Sequence, residues 1–185
     1  MSIPWYRRLL SPSVPFSAVD LQTQAAAAGP EAQNNLGILF ASTSKFPQDY
    51  AKAAACFQRA AEQGHALAQN NLGLMYSAGE GVPKDSAQAH KWFLRAAAQG
   101  DPAAQYHLGV NYHRESLSLA DGAAGEARIE AFMWLRLAAT QGYRGAETSC
   151  ERVNLSLSAT EHTEAVRRVT VFVPLREQPA MTPVG

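Results

Sequence analysis

Apolar residues recur three or four positions apart along most of the chain, which is the spacing of one face of an amphipathic helix. In the middle of the sequence one such face contains Ala68, Leu72 and Tyr76, and a second contains Ala89 and Phe93. Stretches in which apolar and polar residues alternate, as they do in a half-buried strand, are few. The pattern therefore predicts an all-α protein.

A six-residue sequence returns at a fixed interval. AQNNLG occupies residues 32–37 and 68–73, and the related AQYHLG occupies residues 104–109, so each copy begins 36 residues after the last. A period of roughly 20–50 residues is typical of a solenoid, in which each unit packs only on its neighbours. We interpret the hexapeptide as the packed start of the first helix of each unit.

The end of each unit has a landmark of its own. AAEQG at residues 60–64 returns 36 residues later as AAAQG at 96–100, and then 42 residues later as AATQG at 138–142. The third unit therefore contains six extra residues. We expect them in a long loop over Arg114–Arg128, which is a second candidate contact for a partner because insertions in solenoids often lie on one face.

Each unit is predicted to form two helices, A and B. In the second unit, helix A spans Ala66–Ala78, and the two glycines and the proline of GEGVPKD then break it. Asp85 or Ser86 caps the start of helix B, and Gly100 supplies a left-handed residue at its end. Because glycine inside a helix costs about 1 kcal/mol relative to alanine, Gly73 is predicted to allow a neighbouring helix to approach closely.

The segments outside the repeats are predicted to cap them. Residues 17–28 are similar to a lone helix B, residues 143–153 are similar to a further helix A, and Ser158 precedes Glu161 with the spacing of a capping box. The predicted division is 1–28 for the N-terminal segment and capping helix, 29–64, 65–100 and 101–142 for the three repeats, 143–170 for the C-terminal capping helices and 171–185 for the tail.

The second unit matches the pattern A-x-x-x-L-G-x-x-Y-x-x-G-x-G-V-x-x-D-x-x-x-A-x-x-W-x-x-x-A-A-x-x-G from Ala68 to Gly100. This pattern resembles the Sel-one-like repeat, a relative of the tetratricopeptide repeat. The first unit departs from it, with Phe40 and Cys56 in place of the tyrosine and the tryptophan. The resemblance covers roughly residues 29–142 and implies a right-handed α/α superhelical solenoid of about three helix-turn-helix repeats with helical caps.

In tetratricopeptide-like solenoids the A helices line a concave groove that receives peptides, and the resemblance places the polar arc of each helix A there. The stretches 32–42, 66–78 and 103–112 contain no charged residue, which favours a weakly salt-dependent contact with a peptide. The alternative is that the paired asparagines only solvate the helix surface or bridge adjacent A helices. The candidate partner-binding residues are Asn34, Asn35, Ile38, Leu67, Asn70, Asn71, Leu74, Tyr106, His107 and Val110.

Composition narrows the function classes. Sixteen basic and sixteen acidic residues cancel, so no overall field favours nucleic acid. Prolines interrupt the apolar part of the first 19 residues, so we expect no secretory signal and no membrane insertion. The expected location is therefore the cytoplasm. Cys56 and Cys150 lie 94 residues apart and are interpreted as small buried residues. No histidine pair has metal-ligand spacing, so we expect no metal and no cofactor.

These observations predict a non-catalytic scaffold or adaptor that is a monomer and whose partner is a protein or a peptide. One alternative is a structural subunit of a self-associating or larger assembly. Another is an enzyme, because some cysteine-rich exported relatives have been linked to β-lactam binding or hydrolysis. Those relatives contain a cysteine pair in each repeat, which this chain lacks. We therefore expect no catalytic residues.

Overall fold

The computed structural model describes residues 27–42, 49–120 and 123–175, and within these ranges it contains helices and no strand. The all-α prediction is confirmed. None of the described helices is both long enough and apolar enough to cross a membrane. The helices are α1 (Pro30–Ala41), α2 (Tyr50–Glu62), α3 (Ala66–Ala78), α4 (Ser86–Ala98), α5 (Pro102–Ser118), α6 (Gly125–Thr140), α7 (Ala146–Asn154) and α8 (Ala159–Val171).

The helices stack as an α/α solenoid. Helices α1 and α2, α3 and α4, and α5 and α6 form three pairs, and each pair packs on the next one because α2 contacts α3 and α4 contacts α5. Helix α7 then packs on α6. The capping helix predicted over 17–28 and the tail predicted over 171–185 lie largely outside the described residues.

Local sequence signals set the helix ends. Helix α3 begins and ends where the apolar spacing predicts, and Gly79 follows it in the left-handed conformation. The side chain of Asp85 accepts hydrogen bonds from the first-turn backbone N–H groups of α4. At the start of α8, Ser158 and Glu161 form the predicted capping box. These caps satisfy N–H groups that the helices cannot pair internally.

The glycine that ends each hexapeptide lies where two helices meet. A Cβ atom on Gly73 would lie 2.7 Å from Cε1 of Phe93, well inside van der Waals contact. Gly37 and Gly109 stand in the same relation to Phe57 and Leu135 of their own units. The absence of a side chain is therefore what allows the large apolar residue of helix B to pack directly against helix A, as the sequence predicts for Gly73.

Buried glutamines join the units. Gln69 donates from Nε2 to the carbonyl oxygen of Ala61 in the preceding unit, 3.1 Å away, and its Oε1 accepts from Gln99 of its own unit. Gln105 repeats the arrangement in the third unit, where it donates to Ala97 and accepts from Gln141. Sequence reasoning missed this ladder, although glutamine recurs at both positions in every unit.

The long loop predicted over Arg114–Arg128 is wrong. Helix α5 continues to Ser118, and α6 already begins at Gly125, so most of the insertion extends the two helices. No glycine or proline interrupts residues 113–119, and each added helical residue forms a further backbone hydrogen bond once a helix exists. The hydroxyl of Ser116, which is buried, donates to the carbonyl oxygen of His113.

The last two helices end the repeat pattern. Helix α7 occupies the position of a fourth helix A, with Ala146 and Cys150 buried as Ala104 and Leu108 are in the third unit. The next residue is Glu151, where the three repeats have glycine. Helix α8 packs on α6 and does not form a helix pair with α7 as a helix B would.

Candidate functional site

Two of the predicted contact residues are not exposed. Only 2% of the surface of Asn34 and 7% of that of Asn70 are accessible. Nδ2 of Asn71 donates to Oδ1 of Asn34 over 3.0 Å, which joins α3 to α1. The bridging role that the sequence left open is therefore the one observed for this pair. Asn70 Oδ1 is buried and has no hydrogen-bond partner within the described residues.

Other residues of the same two helices do reach the surface. Ile38, Leu67 and Leu74 are exposed by 47%, 54% and 39%, and Asn35 and Asn71 are half-buried. We call these five residues the A-helix face. Their outward position follows from their helical spacing relative to the buried leucines, because residues on opposite arcs of a helix point in opposite directions.

A groove of about 310 Å³ lies between α1 and α3 within this face. Ile38 and Leu74 line its sides, the ring of Phe57 lines it from α2, and the side chain of Asn71 lies beside them. Nδ2 of Asn71 donates one of its two hydrogens to Asn34, and the carbonyl oxygen of Asn71 is an acceptor that a partner N–H can use. The groove can accept an apolar side chain and bind one backbone amide.

The third copy of the predicted site is partly covered by neighbouring side chains. Tyr106, His107 and Val110 are each half-buried. The ring of Tyr106 lies 5.1 Å from that of Tyr143, and the imidazole of His107 stacks on Phe93 at 5.1 Å. Val110 packs on the apolar cluster that includes α7. Tyr106, His107 and Val110 are thus half-buried, as Asn35 and Asn71 are, and aromatic and apolar neighbours cover part of their surface.

The A-helix face contains no charged residue. Helix α3 contains no charged residue, and α1 contains only Glu31 in its first turn. Burial lowers the pKa of His107, so its imidazole is neutral at pH 7. Burial also lowers the pKa of His65, whose Nδ1 accepts the N–H of Ala68 as the N-cap of α3. Sequence reasoning missed this cap, because histidine is not among the usual capping residues.

The cysteines offer no reactive thiolate. Cys56 and Cys150 are both unpaired and buried. Burial raises the pKa of each thiol to about 11, so the nucleophilic thiolate form is scarce at neutral pH. Within the described ranges no group of three or more histidine, cysteine and carboxylate side chains is arranged to hold a metal ion.

A second, polar groove lies beside the extended part of α5. It measures about 390 Å³ and is lined by Ser77, His90, Asn111 and Arg114, among others. Nε2 of His90 lies 3.5 Å from the hydroxyl of Tyr112. The insertion of the third unit thus forms one wall of a surface groove, although as a helix and not as the predicted loop.

Three segments of the chain match the sequence model of the Sel1 repeat, at residues 30–65, 66–101 and 102–143. Together they make up more than half of the chain, and each begins one residue after the unit drawn from the sequence. No curated protein matches this sequence.

Two solved structures are similar to this one. A protective antigen of uropathogenic Escherichia coli strains that displays an SLR fold is 32% identical with a TM-score of 0.64, covering 83% of this chain and 34% of the antigen. A Sel1 repeat protein from Oxalobacter formigenes is also 32% identical with a TM-score of 0.56, covering 72% of this chain and 96% of that protein. This chain spans about a third of the length of the E. coli antigen. Sel1 repeat proteins are commonly protein-interaction scaffolds. The chain belongs to the Sel1 repeat family.

Proposed function

We propose that the protein is a non-catalytic scaffold that holds a peptide or an exposed segment of a partner protein against the A-helix face. The observation that supports this proposal is the groove between α1 and α3, which exposes Ile38 and Leu74 beside the amide of Asn71. Exposed aliphatic side chains next to a polar group that can bind a peptide backbone are a common arrangement in peptide-binding grooves.

The chemistry of the groove defines the kind of peptide. An apolar side chain of the peptide fills the space above the Phe57 ring, where it is removed from water. The adjacent backbone N–H of the peptide donates to the carbonyl oxygen of Asn71. Leu67 extends the apolar surface beyond the groove. A peptide with one bulky aliphatic residue and no required charge is therefore the expected ligand.

The test uses peptides selected from a displayed random library on the purified full chain. We expect selected peptides to share a bulky apolar residue and to bind at least about tenfold more weakly to Leu74→Glu, which is about 1.4 kcal/mol. A carboxylate placed in the groove must lose its hydration when the peptide binds. Isothermal titration calorimetry provides the affinities.

Leu94→Glu is the matched control. Leu94 lies on α4 and is 41% exposed, close to the 39% of Leu74. The control variant should bind selected peptides as the wild type does. Equal losses in the two variants, or no selected peptide that discriminates between them, would contradict the proposal. A steep loss of affinity at high salt would contradict it as well, since the A-helix face contains no charge to screen.

A further inference from the structure

Helix α8 is attached differently from the helices of the repeats. Ala165 is the single buried residue of α8, whereas α4 buries Ala89, Trp92, Phe93, Ala96 and Ala97. Apolar burial is the main source of helix attachment in a packed domain. The other apolar contacts at α8, those of Val169 and of Phe172 just after the helix, are only partly buried, so further contacts must help to hold this helix in place.

Ion pairs supply those contacts. Nη2 of Arg128 on α6 lies 2.6 Å from Oε1 of Glu161, and both side chains are more than four-fifths buried. Nη1 of Arg168 lies 2.6 Å from carboxylate oxygens of both Glu126 and Glu130 on α6. Each end of α8 is thus bound to α6 through a charged side chain. The charge is negative at the first end, on Glu161, and positive at the second, on Arg168.

The groups involved share one face of α8. Glu161, Ala165 and Arg168 lie at positions i, i+4 and i+7, which a helix stacks along one side. On α6, Arg128 pairs with Glu161, and Glu126 and Glu130, which lie one turn apart on either side of it in the sequence, pair with Arg168. A carboxylate, a small residue and a guanidinium at this spacing therefore define the helix that α6 recognises.

An apolar stripe runs along the same surface of α6. Ile129 and Phe132 belong to one apolar cluster with Ala165. The ring of Phe132 meets His162 of α8 edge to face at 5.4 Å. We define the α6 seat as Glu126, Arg128, Ile129, Glu130 and Phe132.

One hydrogen-bonding group of the α6 seat is not used by α8. Nε of Arg128 is buried and has no partner within the described residues, while Nη2 of the same side chain binds Glu161. A carboxylate that engaged Nε and Nη2 together would form the stronger bidentate pair. The seat can therefore bind a suitably placed carboxylate better than it binds Glu161.

We propose that the α6 seat is an exchangeable helix-binding site, occupied within the chain by α8 and open to an amphipathic partner helix with the pattern E-x-x-x-A-x-x-R. Charge complementarity identifies this occupant, because the seat pairs a guanidinium with a carboxylate and two carboxylates with a guanidinium. The seat lies on a helix B, away from the A-helix face, so this proposal and the proposed function can fail separately.

Competition between α8 and the partner helix determines how tightly the α6 seat binds the partner helix. A tethered helix acts at an effective concentration in the millimolar range, so α8 suppresses binding of a free helix of similar affinity. Weakening α8 without changing the seat must therefore strengthen binding of the free helix. Salt must loosen α8, because the charges that hold it are partly accessible to solvent.

The test uses a fluorescent synthetic peptide with the sequence of residues 156–175 and the full chain. The double variant Glu161→Gln with Arg168→Gln weakens α8 and leaves the seat intact. We expect this variant to bind the peptide at least about tenfold more tightly than the wild type in fluorescence anisotropy, which is about 1.4 kcal/mol. Equal affinity for the two chains would overturn the proposal.

Two controls accompany the measurement. Arg167→Gln also removes a positive charge from α8, but Arg167 is 61% exposed and, within the described residues, pairs with Glu164 of the same helix and not with α6, so peptide affinity should stay that of the wild type. A peptide in which Arg168 is replaced by Glu should not bind, because Glu126 and Glu130 repel it. Binding of this peptide, or a gain in Arg167→Gln, would overturn the proposal.

Hydrogen exchange checks the fold of the variants. Amides of α3 and α4 should exchange at wild-type rates if the solenoid is intact, and Glu161→Gln alone replaces the double variant if they do not. In the wild type, raising NaCl from low to molar concentration should accelerate exchange in α8 and leave α4 unchanged. Exchange in α8 that salt does not alter would overturn the proposal without any variant.

Discussion

Adding one methyl group at Gly73 should destabilise the protein, although the same change usually stabilises a helix. The new Cβ atom would lie 2.7 and 2.8 Å from two ring carbons of Phe93, which is 2% exposed and cannot swing into solvent. Overpacking of this kind costs about 1–3 kcal/mol. Alanine recovers about 1 kcal/mol of helix propensity. The expected net effect of Gly73→Ala is a loss of up to about 2 kcal/mol.

The side chain at position 93 determines whether Gly73→Ala stabilises or destabilises the protein. In a chain that already contains Phe93→Ala, the ring is gone and only the gain in helix propensity remains, so Gly73→Ala should stabilise that chain by up to about 1 kcal/mol. A double-mutant cycle measured by urea unfolding and circular dichroism gives the coupling directly. A stabilising Gly73→Ala in the wild type, or equal effects in both backgrounds, would refute the packing argument. Gly37 with Phe57 provides an independent repetition.

Three further predictions concern other contacts. Gly81→Ala should cost about 1–3 kcal/mol more than Gly64→Ala in urea unfolding, since both glycines have a positive φ but only the Cβ of the first would strike a backbone carbonyl of α2. Gln105→Leu should lower the free energy of unfolding by about 1 kcal/mol or more, because it removes both bonds of a fully buried ladder residue. Acid should release α8. The hydrogen bond from Arg128 of α6 lowers the pKa of Glu161 below its ordinary value of 4.5, so the stabilisation from this pair is complete above pH 4.5 and is lost as the pH falls through the lowered pKa, which NMR shifts of α8 would follow.

The sequence was sufficient for the features that depend on local pattern. The apolar spacing and the recurring glycines predicted the helix pairs, and Ser158 with Glu161 predicted the start of α8. These signals depend on residues close together in the chain, or on a repeat that displays the same contact several times. Gly73 could be interpreted for that reason, since its role is the same in each unit.

The features that sequence reasoning missed depend on contacts between units. In the sequence, Asn34 and Asn71 cannot be told from solvated surface residues. Only the side-by-side position of α1 and α3 shows that the amide of Asn71 donates a hydrogen bond to that of Asn34. The ring of Tyr106 packs beside that of Tyr143, a contact between α5 and the segment that precedes α7 that the local pattern does not reveal. The third-unit insertion was misassigned because its length was treated as loop length, although residues 113–118 favour continuation of the helix.

The hexapeptide shows where variation between the repeats can affect function. Its first and fifth residues, alanine and leucine, are at most 2% exposed in all three copies, its second is buried glutamine, and its sixth is the glycine that meets helix B. Packing therefore fixes four of the six positions. The third and fourth positions are Asn-Asn in two units and Tyr-His in the third, and these are the positions from which a side chain either bridges neighbouring helices or approaches the surface. Substitutions at the fourth position can therefore alter the surface of the A-helix face, whereas the third position is buried in the first two units, where Asn34 accepts the hydrogen bond that joins α3 to α1.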